Sequence, residues 1–242
     1  MFTFPMTMMS SSGFENTLST SFNGVDEWVN GDTNSITNDL SVFAWIQVPN
    51  NTQTRTVAAN FHSGIGQRAW TLGNIAGGQM RVRLSENGTS NAKSLTCSDF
   101  NIEKNGWHLV GFTFNTANQL TIYVDGVKGI NYTGTNNPMT SLHNSTTDFS
   151  IGSLRNGSEK FIGDIDEVTV WKDTVLSDSE IVALYNAGQP TDPTTLTTSA
   201  TLSNWYRMGD GDDATTIYDN VGRVDCTLIA MDATNYTTDV PT

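Results

Sequence analysis

The chain has 242 residues, only 15% of them charged, and a formal net charge of −13 from 12 Lys+Arg against 25 Asp+Glu. A field of that sign repels polyanions, which excludes nucleic acid as a partner, and no run approaches the roughly 20 apolar residues that a membrane-spanning helix needs. The length, the 21 glycines and the segments rich in Asn, Thr and Ser suit one large all-β domain that buries its own core.

The first 17 residues, MFTFPMTMMSSSGFENT, are apolar and Met-rich, are interrupted by Pro5 and lack a basic n-region. They read as an extended arm that anchors on a neighbouring subunit, not as a secretion signal. Residues 18–30 (LSTSFNGVDEWVN) read as an opening strand pair around Asn23-Gly24. In residues 40–48 (LSVFAWIQV), Leu40, Val42, Ala44, Ile46 and Val48 share one face and Phe43 and Trp45 the other. Such a strand is central or has a covered outer face. Four further strands are expected at 54–60, 69–73, 79–84 and 92–98, separated by glycine turns. In the third, Met80, Val82 and Leu84 point inward, and Arg81 and Arg83 point outward or into a groove.

Residues 107–114 and 119–124 form a predicted hairpin, and Asp125-Gly126 supplies the tight turn that follows. Residues 131–147 are polar and read as a recognition loop. One helix is marked by Ser177 as its cap, Glu180 closing a capping box, Leu176 and Ile181 as a staple and Gly188 at its end. Ile181, Leu184 and Tyr185 make up its predicted buried face. A Thr/Pro linker occupies 189–201, and beyond it residues 202–208 are expected to pair with 224–231 as a final hairpin. Two strands cannot bury a core alone, so residues 18–242 form a single domain that this hairpin completes. Cys97 and Cys226 sit in separate predicted strands and are expected as buried free thiols.

The order WHLVGFTFNTANQLTIYVDG, FSIGSL and FIGDIDEVTVWKDTVLSDSEIVALYNAG resembles the laminin-G-like branch of the concanavalin A-like lectin/glucanase superfamily, over residues 18–188. The resemblance implies an all-β, two-sheet antiparallel jelly-roll sandwich with one short rim helix. It also implies a structural calcium ion. The segment IDEVTVW is similar to the superfamily's VDYVRVY-type strand, whose aspartate ligates calcium together with carbonyls of the opening strand. Carried over, Asp166 is the ligand, with carbonyls near Asn23 and Gly24, a hard-oxygen set that suits Ca²⁺. The C-terminal run WYRMGDGDD, followed by TLIAM and VP, resembles structural proteins of marine bacteriophages.

Catalytic signatures are missing from the sequence. Glycoside hydrolysis on this fold would need a Glu-x-Asp-x-x-Glu strand; Asp164 and Asp166 share a face, but no further carboxylate follows at the required position. There is no GxSxG, HExxH or phosphate-binding glycine loop. Asp210, Asp212 and Asp213 read as a solvated turn, and His108 as a packed or hydrogen-bonded residue. Sugar platforms, if present, would be Trp70, Trp171 and Trp205. The expected function is non-enzymatic: a bacteriophage virion surface protein, attached to other virion proteins through residues 1–17 within a homo-oligomer or larger assembly. The alternative is a free-standing, Ca²⁺-dependent, extracellular carbohydrate-binding or adhesion module. A glycoside hydrolase is the third reading.

Overall fold

The computed structural model describes residues 13–33, 35–49, 53–102, 106–222 and 224–242. The chain begins with β1 (Ser19–Asn23), β2 (Trp28–Thr33), β3 (Leu40–Gln47) and β4 (Arg55–His62). It continues through β5 (Gln67–Asn74), β6 (Met80–Leu84), β7 (Lys93–Cys97), β8 (Trp107–Asn115) and β9 (Gln119–Val124). After β10 (Val127–Lys128), β11 (Tyr132–Asn136) and β12 (Asp148–Ile151) comes the longest strand, β13 (Ile162–Lys172), and then the helix α1 (Asp178–Tyr185). The last strands are β14 (Leu202–Tyr206), β15 (Thr216–Ile217), β16 (Cys226–Ile229) and β17 (Tyr236–Thr237).

Among the described residues these strands form two antiparallel sheets. The first runs β10-β9-β8-β3-β13-β1-β17, with β14 also beside β13; the second runs β11-β7-β6-β5-β4-β12-β2-β16-β15. Period-two alternation turns Val42, Ala44, Ile46 and Phe112 of the first sheet onto Trp70, Leu72, Val82 and Phe149 of the second, and these make one core. The all-β sandwich expected from the sequence is the fold observed.

Three local expectations are corrected. β1 and β2 are not a hairpin: β1 pairs with β13 in the first sheet and β2 with β12 and β16 in the second. The Asn23 side chain accepts from Val25 N at 2.7 Å, and the turn carries the chain across the sandwich, so that Phe22 and Val29 enter the same core from opposite sheets. The final pair is likewise divided. β14 lies along β13, from Val168↔Tyr206 onward, while β16 pairs with β2 and β15. Each half thereby satisfies a strand edge that would otherwise expose unpaired backbone groups. The polar segment 131–147 includes β11, which caps the edge of β7.

The expectation for 40–48 holds on both faces. Its second set, Phe43 and Trp45, packs on the outer side of the first sheet with Ile181 and Leu184 of α1. Ser177 caps the helix and its capping box with Glu180 is complete. The helix ends earlier than Gly188, because Asn186 takes up the left-handed conformation at φ 44° and its N–H reaches Val182 O. Residues 189–201 are no free linker. Leu196 is buried beside α1, and Glu180 accepts from Thr197 Oγ1 and Thr198 N at 2.6 and 3.2 Å.

Asp125 and Gly126 both have positive φ, 53° and 75°, as a tight two-residue hairpin turn requires. Cys97 and Cys226 are free and buried, and burial pushes their thiols up to about 11 and about 12. Gly111 of β8 lies opposite Phe43, where an added Cβ would stand 2.2 Å from the Phe43 ring and 2.5 Å from Val42 O. Gly111→Ala is therefore expected to destabilise the fold by about 3 kcal/mol or more, the upper range for overpacking. An unchanged urea midpoint would count against this account of the sheet.

Candidate functional site

The covered outer face of the first sheet carries a buried polar cluster. A bulge in β13 between Asp166 and Thr169, with Glu167 at φ 47°, sends both Asp166 and Glu167 outward while Ile165 and Val168 point into the core. Both acids are buried, at 0% and 5% exposure. Asp166 accepts from Asn16 Nδ2 at 2.7 Å and from Glu167 N at 2.8 Å. Glu167 accepts from Trp205 Nε1 and, at 3.1 Å, from Arg207 Nε. Arg207 also donates to the Glu15 carbonyl and to Asp210 at 3.1 Å, and its guanidinium lies 4.7 Å from the Phe14 ring centre. Burial pushes the Glu167 carboxyl up to about 7. Asp166 is raised by burial and by the neighbouring charge of Glu167.

This arrangement answers two expectations. Residues 13–17 pack on the chain's own sheet, through Phe14 against Trp205, Asn16 on Asp166 and Thr17 N on Asp210 at 2.8 Å. Residues 1–12, the greater part of the expected arm, lie outside the described residues. The calcium set does not fit. Asn23 pairs with Ile162, four residues and about 13 Å of extended strand from Asp166. Asn23 and Gly24 sit in an exposed turn at the other end of β1 from Asp166, whose oxygens accept from Asn16 and from Glu167 N. Among the described residues no group of three His, Cys, Asp or Glu is placed to hold a metal ion. Asp212 and Asp213 accept from nearby backbone amides, such as Gly209 N and Thr216 N, whereas Asp210, expected in a solvated turn, accepts from Thr17 and Arg207.

The three tryptophans named as platforms are core residues. Trp70 packs against Phe112 and Phe149, Trp171 against Phe43, and Trp205 beneath Phe14 with its N–H on Glu167. Their exposures of 1%, 0% and 7% leave no ring face for a ligand. They sit on strands whose two faces are both covered, a property that local alternation does not reveal.

An open aromatic surface exists elsewhere. At one end of the first sheet, Gln47, Trp107, Tyr185, Gly188 and Asp239 line a groove of about 560 Å³. Gln47 ends β3 and Trp107 begins β8, and the two are cross-strand partners. Tyr185 closes α1, one ring face stacked on Trp45 at 5.8 Å. Asp239, after β17, accepts from Trp107 Nε1 at 3.0 Å and from Gln47 Nε2 at 3.3 Å. Two half-buried aromatic rings, an amide and a carboxylate thus share one concave surface. Sequence reading placed Trp107 at a strand start and gave Tyr185 to the helix's buried face. Asp239 carried no local signal, for its contact with Gln47 spans 192 residues.

Two antiparallel sheets with one helix on the outer face and an aromatic groove at the rim define a lectin-type sandwich. A model of the Laminin_G_3 family, of the concanavalin A-like lectin/glucanases superfamily, matches residues 23–182, and the chain belongs to that family. Among solved structures it is similar to a "putative carbohydrate binding protein" from Bacteroides ovatus ATCC 8483, at 18% identity and a TM-score of 0.68. That likeness covers 94% of this chain but 62% of the other, so the chain spans less than two thirds of that protein. It is also similar to the native heptameric SAP-like pentraxin of Limulus polyphemus, at 18% identity and a TM-score of 0.55, over 70% of this chain and 82% of that one. At such identities the likeness is one of fold. Among curated proteins none matches. None of these comparisons supports the phage resemblance of the C-terminal segment.

Proposed function

We propose that the chain is a non-enzymatic carbohydrate-binding module that holds a saccharide in the groove between Trp107 and Tyr185. The observation that carries this reading is the groove itself, where aromatic rings border a carboxylate and an amide. Sugar rings present an apolar C–H face that packs on aromatic surface, and a rim of hydroxyls that needs acceptors and donors. The family and the Bacteroides ovatus likeness point the same way. Catalysis is no part of the reading. The β13 bulge does gather Asp166 and Glu167 on one face, but a substrate cannot reach acids buried under residues 13–17. The virion role is set aside because no comparison supports the phage resemblance of the C-terminal segment. Calcium is left out because Asp166, Asn23 and Gly24 do not converge.

Affinity electrophoresis in gels containing soluble polysaccharides tests the reading. Trp107→Ala is expected to weaken retardation at least about tenfold, the scale of losing a central aromatic contact, with an unchanged circular-dichroism spectrum. Retardation that persists in both Trp107→Ala and Tyr185→Ala would place the saccharide elsewhere.

A further inference from the structure

Resting on that reading, we infer that the groove selects neutral glycans and rejects those carrying carboxylate or sulfate groups. Asp239 is a lining residue, and the described residues that line the groove include no lysine or arginine. Behind it stands Asp164, the β13 partner of Gln47. Burial raises the Asp164 carboxyl above the usual range, and the nearby charge of Asp239 adds to the rise. On the helix side, Asp125 lies near enough to Tyr185 to raise its phenol further, after burial. The imidazole of His108, beside the wall at Gly106, is matched by Asp125 Oδ2 at 2.7 Å. Among the described residues that line the groove the one charged side chain, Asp239, is negative.

A carboxylate only accepts hydrogen bonds, and it has about four lone-pair sites. Trp107 Nε1 and Gln47 Nε2 already donate to Asp239, leaving room for hydroxyl donors from a sugar. A uronate or sulfate presents further acceptors and a like charge at hydrogen-bond range, which costs affinity in a partly desolvated groove. The rejection comes from a repulsive element, so it is separable from the stacking that gives affinity.

The test pairs each of three neutral polysaccharides, a β-1,3-glucan, a xylan and a galactomannan, with its own carboxymethylated form. Wild-type protein is expected to bind at least one neutral polymer and to bind its carboxymethylated form at least tenfold more weakly. Asp239→Asn is expected to shrink that ratio to threefold or less, the ratio being read within the variant so that any change in its neutral-polymer affinity cancels. Suppose instead the carboxymethylated form binds wild type as tightly as the neutral one, through a site lost in Trp107→Ala. Selection is then refuted and the saccharide groove stands. Binding to none of the polymers would overturn the groove reading and the selectivity with it.

Discussion

Stability is expected to fall as pH rises from about 5 to about 7, and Asp166→Asn is expected to make that fall shallower. The cause is the pair of adjacent acids that the β13 bulge turns onto one covered face. Burial pushes Glu167 up to about 7 and Asp166 well above the usual carboxylate range, and burial likewise raises Asp212 to about 6. In the unfolded chain the same groups release their protons near pH 4. Between pH 4 and 7 the folded state therefore holds protons that the unfolded state has lost, and stability declines with rising pH. Above about 7 Glu167 and Asp212 are ionised in both states, and their part of the decline levels off. On the acid side the sign reverses. Backbone N–H groups of Asn131 and Ile130 hold Asp99 down to about 2, and Thr215 N does the same for Asp213. What they contribute is lost as pH falls from 4 toward 2, so the maximum should lie near pH 5.

Geometry indicates where the retained proton sits. Both Glu167 oxygens accept from strong donors, whereas Asn16 Oδ1 is buried beside Asp166 with no partner. Turning the Asn16 amide over would let that oxygen accept a hydrogen bond from the protonated Asp166 carboxyl. An asparagine at 166 supplies the same donor at every pH. It should raise stability at pH 8 and flatten the curve between pH 5 and 8. Urea titrations at four pH values check this, and a variant with the wild-type slope would sink the explanation.

Arg207→Ala is expected to cost about 3–5 kcal/mol, the penalty for leaving a buried acid without its countercharge. The guanidinium is the cation facing Glu167 and Asp210, and it also ties down the Glu15 carbonyl and lies against Phe14. Its loss should free residues 13–17 as well. Hydrogen exchange at Thr17, whose amide donates to Asp210, should then accelerate more than exchange in the central strands. Arg207→Lys keeps the charge without the planar fork and should fall between. Equal melting of Arg207→Ala and wild type would show that the cluster contributes little.

The strands were legible because alternation is local. Residues 40–48 disclosed both faces of β3, and 79–84 disclosed those of β6. The helix cap was legible because Ser177 and Glu180 act within one turn. What a strict period of two missed was the bulge. It would aim Glu167 into an apolar core, and that conflict was the available clue to an extra residue in the strand. The groove was beyond sequence reading. Gln47, Trp107, Tyr185 and Asp239 come from four separate segments, and each looks ordinary in its own. The buried tryptophans mark the same limit, since a covering layer contributed by distant residues leaves no trace in the covered strand.

The division of both terminal strand pairs between the two sheets has a consequence for how the chain folds. β1 is completed by β17, β2 by β16, and the far half of β13 by β14. During synthesis the central strands emerge and can pair in order, but these three edges wait for residues 202–237. Until then the nascent chain exposes open backbone ladders beside an unsealed core, the condition under which β-rich intermediates associate. Closure joins segments some 200 residues apart, such as Asn235 to the Ser21 carbonyl, so it belongs to the slow, non-local end of folding. Folding should depend on the time and protection given to residues 202–237 more than on any helix or turn formed before them.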